Sequence, residues 1–125
     1  LEIAQKLNDQ RPSNCAPLNI CLQVNISNES TKSGISHDLL PGLLESVIQL
    51  PHLKLRGLMA IPSQNQDQDV QQQAFRELAR IRAAMVQQFD YPLDVLSMGM
   101  SGDLEAAIAE GATMVRIGTA IFGHR

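Results

Sequence analysis

Two short stretches near the end of the chain combine residue types that can bind an anion. Gly118 and Thr119 follow an apolar run and offer backbone N–H groups and a hydroxyl with little steric bulk. Ser97 and Ser101 flank Gly99 and add two hydroxyls on a flexible backbone. A dianionic phosphate needs several such donors, and a helix N-terminus adds positive potential to them. From spacing alone, a phosphate site and a pair of ordinary turns both remain open.

Arg116 is a further candidate because it lies between Val115 and Ile117 in an apolar segment. A guanidinium stays protonated and is costly to bury, so it requires an acceptor. A structural carboxylate and a bound ligand are both open as that acceptor. Met98 and Met100 are instead expected to fill the core. No Ser/His/Asp arrangement and no carboxylate or Cys/His cluster indicates a catalytic residue or a metal site.

The elements that must position these residues alternate between strands and helices. Apolar alternation predicts strands at 18–26, 53–61, 93–98 and 113–117, and stripes at helical spacing predict helices at 39–48, at about 70–88 and up to residue 110. Such alternation requires parallel strands with right-handed crossovers, in either a doubly wound sheet or a segment of a β/α barrel. In both folds the functional groups gather where strands end, which is where the candidate residues lie.

Three details of the helices follow from local chemistry. Pro41 is tolerated in the first turn of the first helix. Ser101 is predicted as the N-cap of the last helix, and Gly111 as its left-handed terminator. The buried face of the middle helix is predicted to comprise Ala74, Leu78, Ile81 and Met85.

Length and composition limit the class of protein. The 125 residues suit one domain, but a complete β/α barrel needs roughly 250. The opening residues resemble the interior of a helix, so residues 1–125 are expected to form a single partial domain. A net charge of −3 with 3% aromatic residues argues against nucleic-acid binding, and no apolar run approaches the roughly 20 residues of a membrane span. Two cysteines without a secretory signal predict free thiols in a cytoplasmic protein.

Four segments in fixed order together indicate a family. They are 24–27 with 29–34, 55–61, 96–101 with 103–108, and 115–119. In combination they resemble the pyridoxal phosphate homeostasis proteins, and the match runs through essentially the whole chain. The resemblance implies a barrel related to the N-terminal domain of alanine racemase. This chain would be its C-terminal half, strands five to eight of a TIM-type (β/α)8 barrel.

The same resemblance implies roles at the site. Arg116 would face the pyridine nitrogen of pyridoxal 5′-phosphate (PLP), while Gly118, Thr119 and a serine of the Ser97/Ser101 pair would hold the phosphate. An arginine leaves that nitrogen without a proton, which weakens the ring as an electron sink. The expected function is therefore homeostasis of the cofactor and its delivery to PLP-dependent enzymes, and a non-catalytic role is favoured.

The resemblance also implies that half of the site is missing. The family's Schiff-base lysine lies on the first strand of the barrel, outside this chain. Of the three lysines here, Lys32 alone is expected on the functional face, either helping to hand over cofactor or simply solvated.

A half barrel exposes two strand edges and an apolar concave face. The chain is therefore predicted to pair with the missing N-terminal half or to self-associate. Two other functions stay open: a racemase-type PLP enzyme, which would need a second catalytic base, and a cofactor-free scaffold fragment.

Overall fold

The computed structural model of the chain describes residues 1–26, 34–61, 68–100 and 102–117. Within these ranges strands and helices alternate. The strands are β1 (Leu18–Gln23), β2 (Leu53–Met59), β3 (Val95–Met100) and β4 (Met114–Arg116). The helices are α1 (Glu2–Gln10), α2 (Leu40–Ile48), α3 (Gln68–Phe89) and α4 (Leu104–Ala109), and a 3-10 turn, His37–Leu39, leads into α2. None of the helices described is long and apolar enough to cross a bilayer.

The strands form one parallel sheet in the order β1-β2-β3-β4. Each strand therefore pairs with its neighbour in sequence, and the crossovers through α2, α3 and α4 advance in one direction across the sheet. A doubly wound sheet reverses its strand order at a switch point. The described strands show no such reversal, so their order is that of a barrel segment.

The core lies between one face of the sheet and the crossover helices. Leu55 and Leu58 of β2 belong to the same buried cluster as Leu44 of α2 and Phe75 of α3. Burying a side chain of this size stabilises the fold by about 2 kcal/mol. The helices are held on the sheet mainly by this apolar surface, which leaves the ends of the strands available for polar groups.

The buried face of helix α3 contains three of the four residues that were predicted for it. Leu78, Ile81 and Met85 are buried, as the helical spacing predicts. Ala74 is only half-buried, and Phe75 takes its place in the core. The prediction was wrong here because Phe75, at three residues before Leu78, continues the same stripe with a larger apolar side chain.

The ends of β3 differ from the sequence prediction. Leu93 is buried but precedes the strand, and its carbonyl oxygen accepts a hydrogen bond from Arg82 Nη1 at 2.9 Å. Its apolar character reflects core packing and not sheet pairing. The strand continues to Met100, which is 37% exposed, so the expectation that Met100 fills the core was wrong. Met98 is fully buried, as expected.

The other strands are shorter than predicted. β1 ends at Gln23 and β2 at Met59, and β4 covers only residues 114–116. Beyond β1 the chain leaves the regular ladder, since Val24 forms an isolated parallel bridge with Ile35. After β1 and β2 the apolar pattern extends past the regular pairing because Val24 and Ala60 still belong to the core.

Helix α4 begins later than the sequence suggested. Its N-cap is Asp103, so the prediction of Ser101 as N-cap was wrong; Ser101 itself lies outside the described residues. Asp103 closes the preceding turn: its Oδ1 accepts the N–H of Met100 at 2.6 Å, and its own N–H donates to the Met100 carbonyl at 3.1 Å. Gly111 follows the helix with φ +100°, as predicted for its terminator.

Candidate functional site

Arg116, the last residue of β4, contacts the neighbouring strand β3 and the residue that follows β2. Its Nη1 donates a hydrogen bond to Ser97 Oγ at 2.9 Å, and its Nη2 donates to the carbonyl oxygen of Ala60 at 3.1 Å. The N–H of Ala60 in turn donates to the carbonyl oxygen of Ser97 at 3.2 Å. One guanidinium therefore joins β4 to β3 and to the residue that follows β2.

The sheet register explains how Ser97 and Arg116 meet. Ser97 lies beside Met114 in the pairing of β3 with β4. Alternate residues of a strand point to the same face, so the side chain of Arg116 projects on the same side as that of Met114. A long arginine side chain can then reach back to the serine hydroxyl. The pairing of β3 with β4 thus brings together two residues that the sequence marked as candidates.

An irregularity in β3 adjoins this contact. The β3–β4 register shifts between Ser97 and Met100, and Gly99 in this interval has φ +102°. A Cβ at position 99 would lie 2.6 Å from Ala107 Cβ and 3.3 Å from Val115 Cγ1. Glycine is therefore required both by the backbone conformation and by the close approach of α4.

Thr113 forms hydrogen bonds that join the residue before β4 to β3. Its Oγ1 accepts the N–H of Leu96 at 2.8 Å, and its own N–H donates to the Leu96 carbonyl at 3.0 Å. The pair precedes Ser97 and Met114 in the sheet, so it sets the register from which Arg116 reaches Ser97. The sequence showed Thr113 only as the first residue of a predicted strand.

The guanidinium of Arg116 has no carboxylate partner among residues 1–26, 34–61, 68–100 and 102–117. Its two contacts are neutral oxygens, and it is half-buried, whereas Ser97 is only 5% exposed. A guanidinium carries more N–H donors than these two contacts use. Within the described part of the chain, its positive charge and remaining donors are available to a ligand.

Three arginines of the described residues pair with carboxylates, namely Arg56, Arg76 and Arg80. Two others, Arg11 and Arg82, contact main-chain carbonyl oxygens as Arg116 does. Arg56 donates to both oxygens of Asp94, at 3.1 and 2.7 Å, and this lowers the pKa of Asp94. Arg76 contacts Glu110 at 2.9 Å, which lowers the pKa of that carboxyl, and a hydrogen bond from Gln72 acts in the same direction. The pairs of Arg56 and Arg76 lie on structural contacts between elements. Arg116 differs from the paired arginines because its contacts within the described residues are neutral oxygens.

Several predicted site residues fall outside the described ranges. They are Ser101, Gly118 and Thr119, together with Lys32. The geometry therefore brings together Ser97 and Arg116 from the predicted set and leaves the phosphate-binding part as a prediction. In the portion of the chain that is described, no three His, Cys, Asp or Glu residues form a group that could hold a metal ion.

Besides Thr113, two contributors to the site were missed by sequence reasoning. Ala60 acts through its main-chain carbonyl, so no side-chain signal could have revealed it. Asp103 was visible as an aspartate just before a helix, a position typical of a residue that bonds to nearby backbone N–H groups. Its hydrogen bond to Met100 holds the turn that follows Ser97.

Sequence comparisons connect the whole chain to known proteins. The family described as "Alanine racemase, N-terminal domain" matches residues 1–125. The pyridoxal phosphate homeostasis protein of Pseudomonas aeruginosa is 57% identical over 125 residues, covering 100% of this chain and 53% of that protein. The protein of the same name from Escherichia coli K12 is 51% identical, with 100% and 53% covered. The chain thus spans about half the length of these curated relatives.

Solved structures show the same fold. PipY of Synechococcus elongatus without PLP superposes with a TM-score of 0.89 at 32% identity, covering 98% of this chain and 57% of that one. PipY with PLP bound gives a TM-score of 0.77 at 32% identity, with 98% and 53% covered. Alanine racemase of Corynebacterium glutamicum gives 0.68 at 18% identity, covering 98% of this chain and 34% of that one, and is evidence for the fold alone.

Together these matches confirm that the parallel α/β sheet is part of a (β/α)8 barrel of the alanine racemase type. They also confirm the resemblance that the ordered motifs indicated. The chain therefore belongs to the alanine racemase N-terminal domain family, among relatives named pyridoxal phosphate homeostasis proteins.

Proposed function

We propose that this chain is the C-terminal half of a PLP-binding barrel that serves cofactor homeostasis and delivery. The observation that carries the proposal is the guanidinium of Arg116, held by Ser97 and Ala60 with no carboxylate partner among the described residues. A pyridine nitrogen is a neutral acceptor that a remaining N–H of this group can bind. The structure of PipY with PLP bound supports this choice of cofactor.

The residues present fit a carrier better than a catalyst. When bound, PLP supplies an electron-withdrawing ring and a reactive aldehyde. Arg116 would donate a hydrogen bond to the ring nitrogen and orient the ring, and a guanidinium is too weak an acid to protonate that nitrogen, so the ring would stay a weak electron sink. The proposed phosphate ligands that accompany it are Gly118, Thr119 and a serine of the Ser97/Ser101 pair. We place this function in the cytoplasm, with PLP-dependent enzymes as recipients of the cofactor.

A direct test is a titration of the chain with PLP, followed by the absorbance of the ligand and by its ³¹P resonance. We expect saturable, reversible binding that excess inorganic phosphate displaces. Reversibility is expected because the family's anchoring lysine belongs to the other half of the barrel. A chain that leaves both signals of PLP unchanged would contradict the proposal and favour a cofactor-free scaffold.

We also propose that an N-terminal half barrel covers the two edges of this sheet. β1 and β4 are the outer strands, so each has one side without a neighbouring strand in the described sheet. Large apolar side chains are exposed on α1, on α4 and on β4; they include Ile3, Leu7, Ile108 and Met114. The curated relatives are about twice as long as this chain, which is the length that remaining strands would need.

Co-expression with the N-terminal remainder of the Pseudomonas aeruginosa relative tests this partner. We expect a one-to-one complex that survives dilution and binds PLP more tightly than either half. Self-association of the chain in preference to that complex would replace the proposed partner by a second copy. A chain that stays monomeric at high dilution, unfolds cooperatively and ignores the other half would contradict the proposal altogether.

A further inference from the structure

The hydroxyl of Ser97 is engaged by a protein group within the site. Its Oγ accepts a hydrogen bond from Arg116 Nη1 at 2.9 Å, and the residue is only 5% exposed. The guanidinium itself is half-buried and therefore more accessible than the serine that contacts it. A serine whose main contact is the phosphate of a ligand would instead be expected to present its hydroxyl to that ligand.

The second contact of Arg116 makes the arrangement directional. Nη2 donates to the carbonyl oxygen of Ala60 at 3.1 Å, while Nη1 donates to Ser97. The guanidinium is planar, so two acceptors on different nitrogens fix both its position and the orientation of its plane. Ala60 and Ser97 are themselves joined through the backbone. The acceptors are thus held by the sheet before any ligand arrives.

Charge reinforces this role. Hydrogen bonds to a charged donor are stronger than those between neutral groups. Both acceptors are neutral, so they orient the guanidinium without cancelling its charge. A carboxylate in the place of Ser97 would form a stronger pair but would remove the charge that a ligand is to use, as Asp94 does for Arg56.

From this geometry we infer that Ser97 is a positioning residue, which holds Arg116 in the orientation that receives the cofactor ring, and not a phosphate ligand. The inference rests on the proposed PLP-binding function and deepens it. It divides the two candidate serines by task, since the phosphate is then left to Ser101 together with Gly118 and Thr119.

The test compares two probes, PLP and inorganic phosphate, on the 125-residue chain. Ser97→Ala is expected to weaken PLP binding roughly tenfold, because Arg116 is then no longer held in the orientation that meets the ring. The affinity for inorganic phosphate should change by less than about twofold, since the substitution affects Arg116, which contacts the ring and not the phosphate. Ser97→Thr retains the hydroxyl and should restore PLP binding. Equal losses for PLP and phosphate would make Ser97 a phosphate ligand and overturn the inference.

A double-mutant cycle separates positioning from a merely structural effect. Lysine at position 116 keeps the charge but cannot bridge Ser97 and Ala60 in the same planar way. In the Arg116→Lys background, Ser97→Ala should therefore cause no further loss of PLP affinity. If the two losses instead add, Ser97 acts independently of Arg116 and the inference fails.

A measurement without cofactor distinguishes this inference from the proposed function. The side-chain N–H resonances of Arg116 report rotation of its guanidinium by NMR. They should show slow rotation in the wild-type chain and in Ser97→Thr, and fast rotation in Ser97→Ala. Fast rotation in the wild-type chain would overturn the inference even if PLP binds. Slow rotation in a chain that binds no PLP would instead overturn the proposed function, and with it the cofactor-directed part of the inference.

Discussion

A Cβ atom at Gly57 would lie 1.8 Å from the carbonyl oxygen of Val95, its partner in the β2–β3 pairing. The backbones of the two strands approach too closely there for any side chain. This contact lies in the middle of the sheet, between the strand that leads to Ala60 and the strand that carries Ser97. A substitution that separates these two backbones should therefore affect both the stability of the fold and the position of the Arg116 contacts.

Gly57→Ala is expected to destabilise the chain by more than about 3 kcal/mol, because backbone atoms must separate to admit the methyl group. Urea denaturation followed by circular dichroism measures this cost. Gly42→Ala is the matched control: it lies in α2 with no described atom within 4 Å of the added Cβ, and should stabilise by about 0.5–1 kcal/mol. Similar stabilities for the two variants would show that β2 and β3 are not so closely apposed.

Gly99→Ala combines steric overlap with backbone strain. Its added Cβ would lie 2.6 Å from Ala107 Cβ at a residue with φ +102°. Gly111, with φ +100° and no atom of the described residues within 4 Å, provides a control for the strain alone. We expect Gly111→Ala to cost about 1 kcal/mol and Gly99→Ala at least about 2 kcal/mol, measured by chemical denaturation. Equal costs would mean that α4 does not pack on Gly99.

Asp103→Ala removes the side-chain acceptor of the Met100 N–H, a bond of 2.6 Å. We expect a loss of about 1–2 kcal/mol in unfolding free energy. Asp103→Asn keeps an oxygen in this position and should lose less. Asp103 is buried and its Oδ2 has no hydrogen-bond partner within the described ranges, so the two variants separate the effect of the Oδ1 acceptor from that of the charge. Equal losses in both variants would indicate that the charge, and not the acceptor, supports the turn.

The ion pair of Arg56 and Asp94 predicts a dependence of stability on pH. Arg56 lowers the pKa of Asp94 below its ordinary value of 3.8, so the unfolded chain binds more protons than the folded chain in the acid range. The contribution of the pair is present above pH 3.8 and is lost as the pH falls through the lower pKa of the folded state.

Asp94→Asn and Arg56→Ala should each flatten this part of the acid-side decline in unfolding midpoint. The remaining decline includes Glu110, whose pKa is lowered by Arg76. Each pair has one exposed partner, Asp94 and Arg76, so the changes are expected to be small and to shrink further in high salt. If either variant reproduces the wild-type profile throughout the acid range, the pair does not persist in solution.

The sequence predicted the order of elements because each long apolar stripe has one dominant period. It could not fix where β3 begins, since Leu93 is apolar for reasons of core packing and not of sheet pairing. At the site, the pattern identified Ser97 and Arg116 as residues at strand ends. Their direct contact depends on the β3–β4 register and on an irregularity near Gly99, neither of which periodicity determines.

The central claim is that Arg116 provides the ring-binding half of a PLP site, and a titration of matched arginine variants with PLP tests it most directly. Arg80→Gln is the control, because Arg80 is exposed on α3 and pairs with Glu77. Arg80→Gln should bind PLP as the wild type does, whereas Arg116→Gln should bind it at least about tenfold more weakly. Equal affinities of both variants for PLP would contradict the claim.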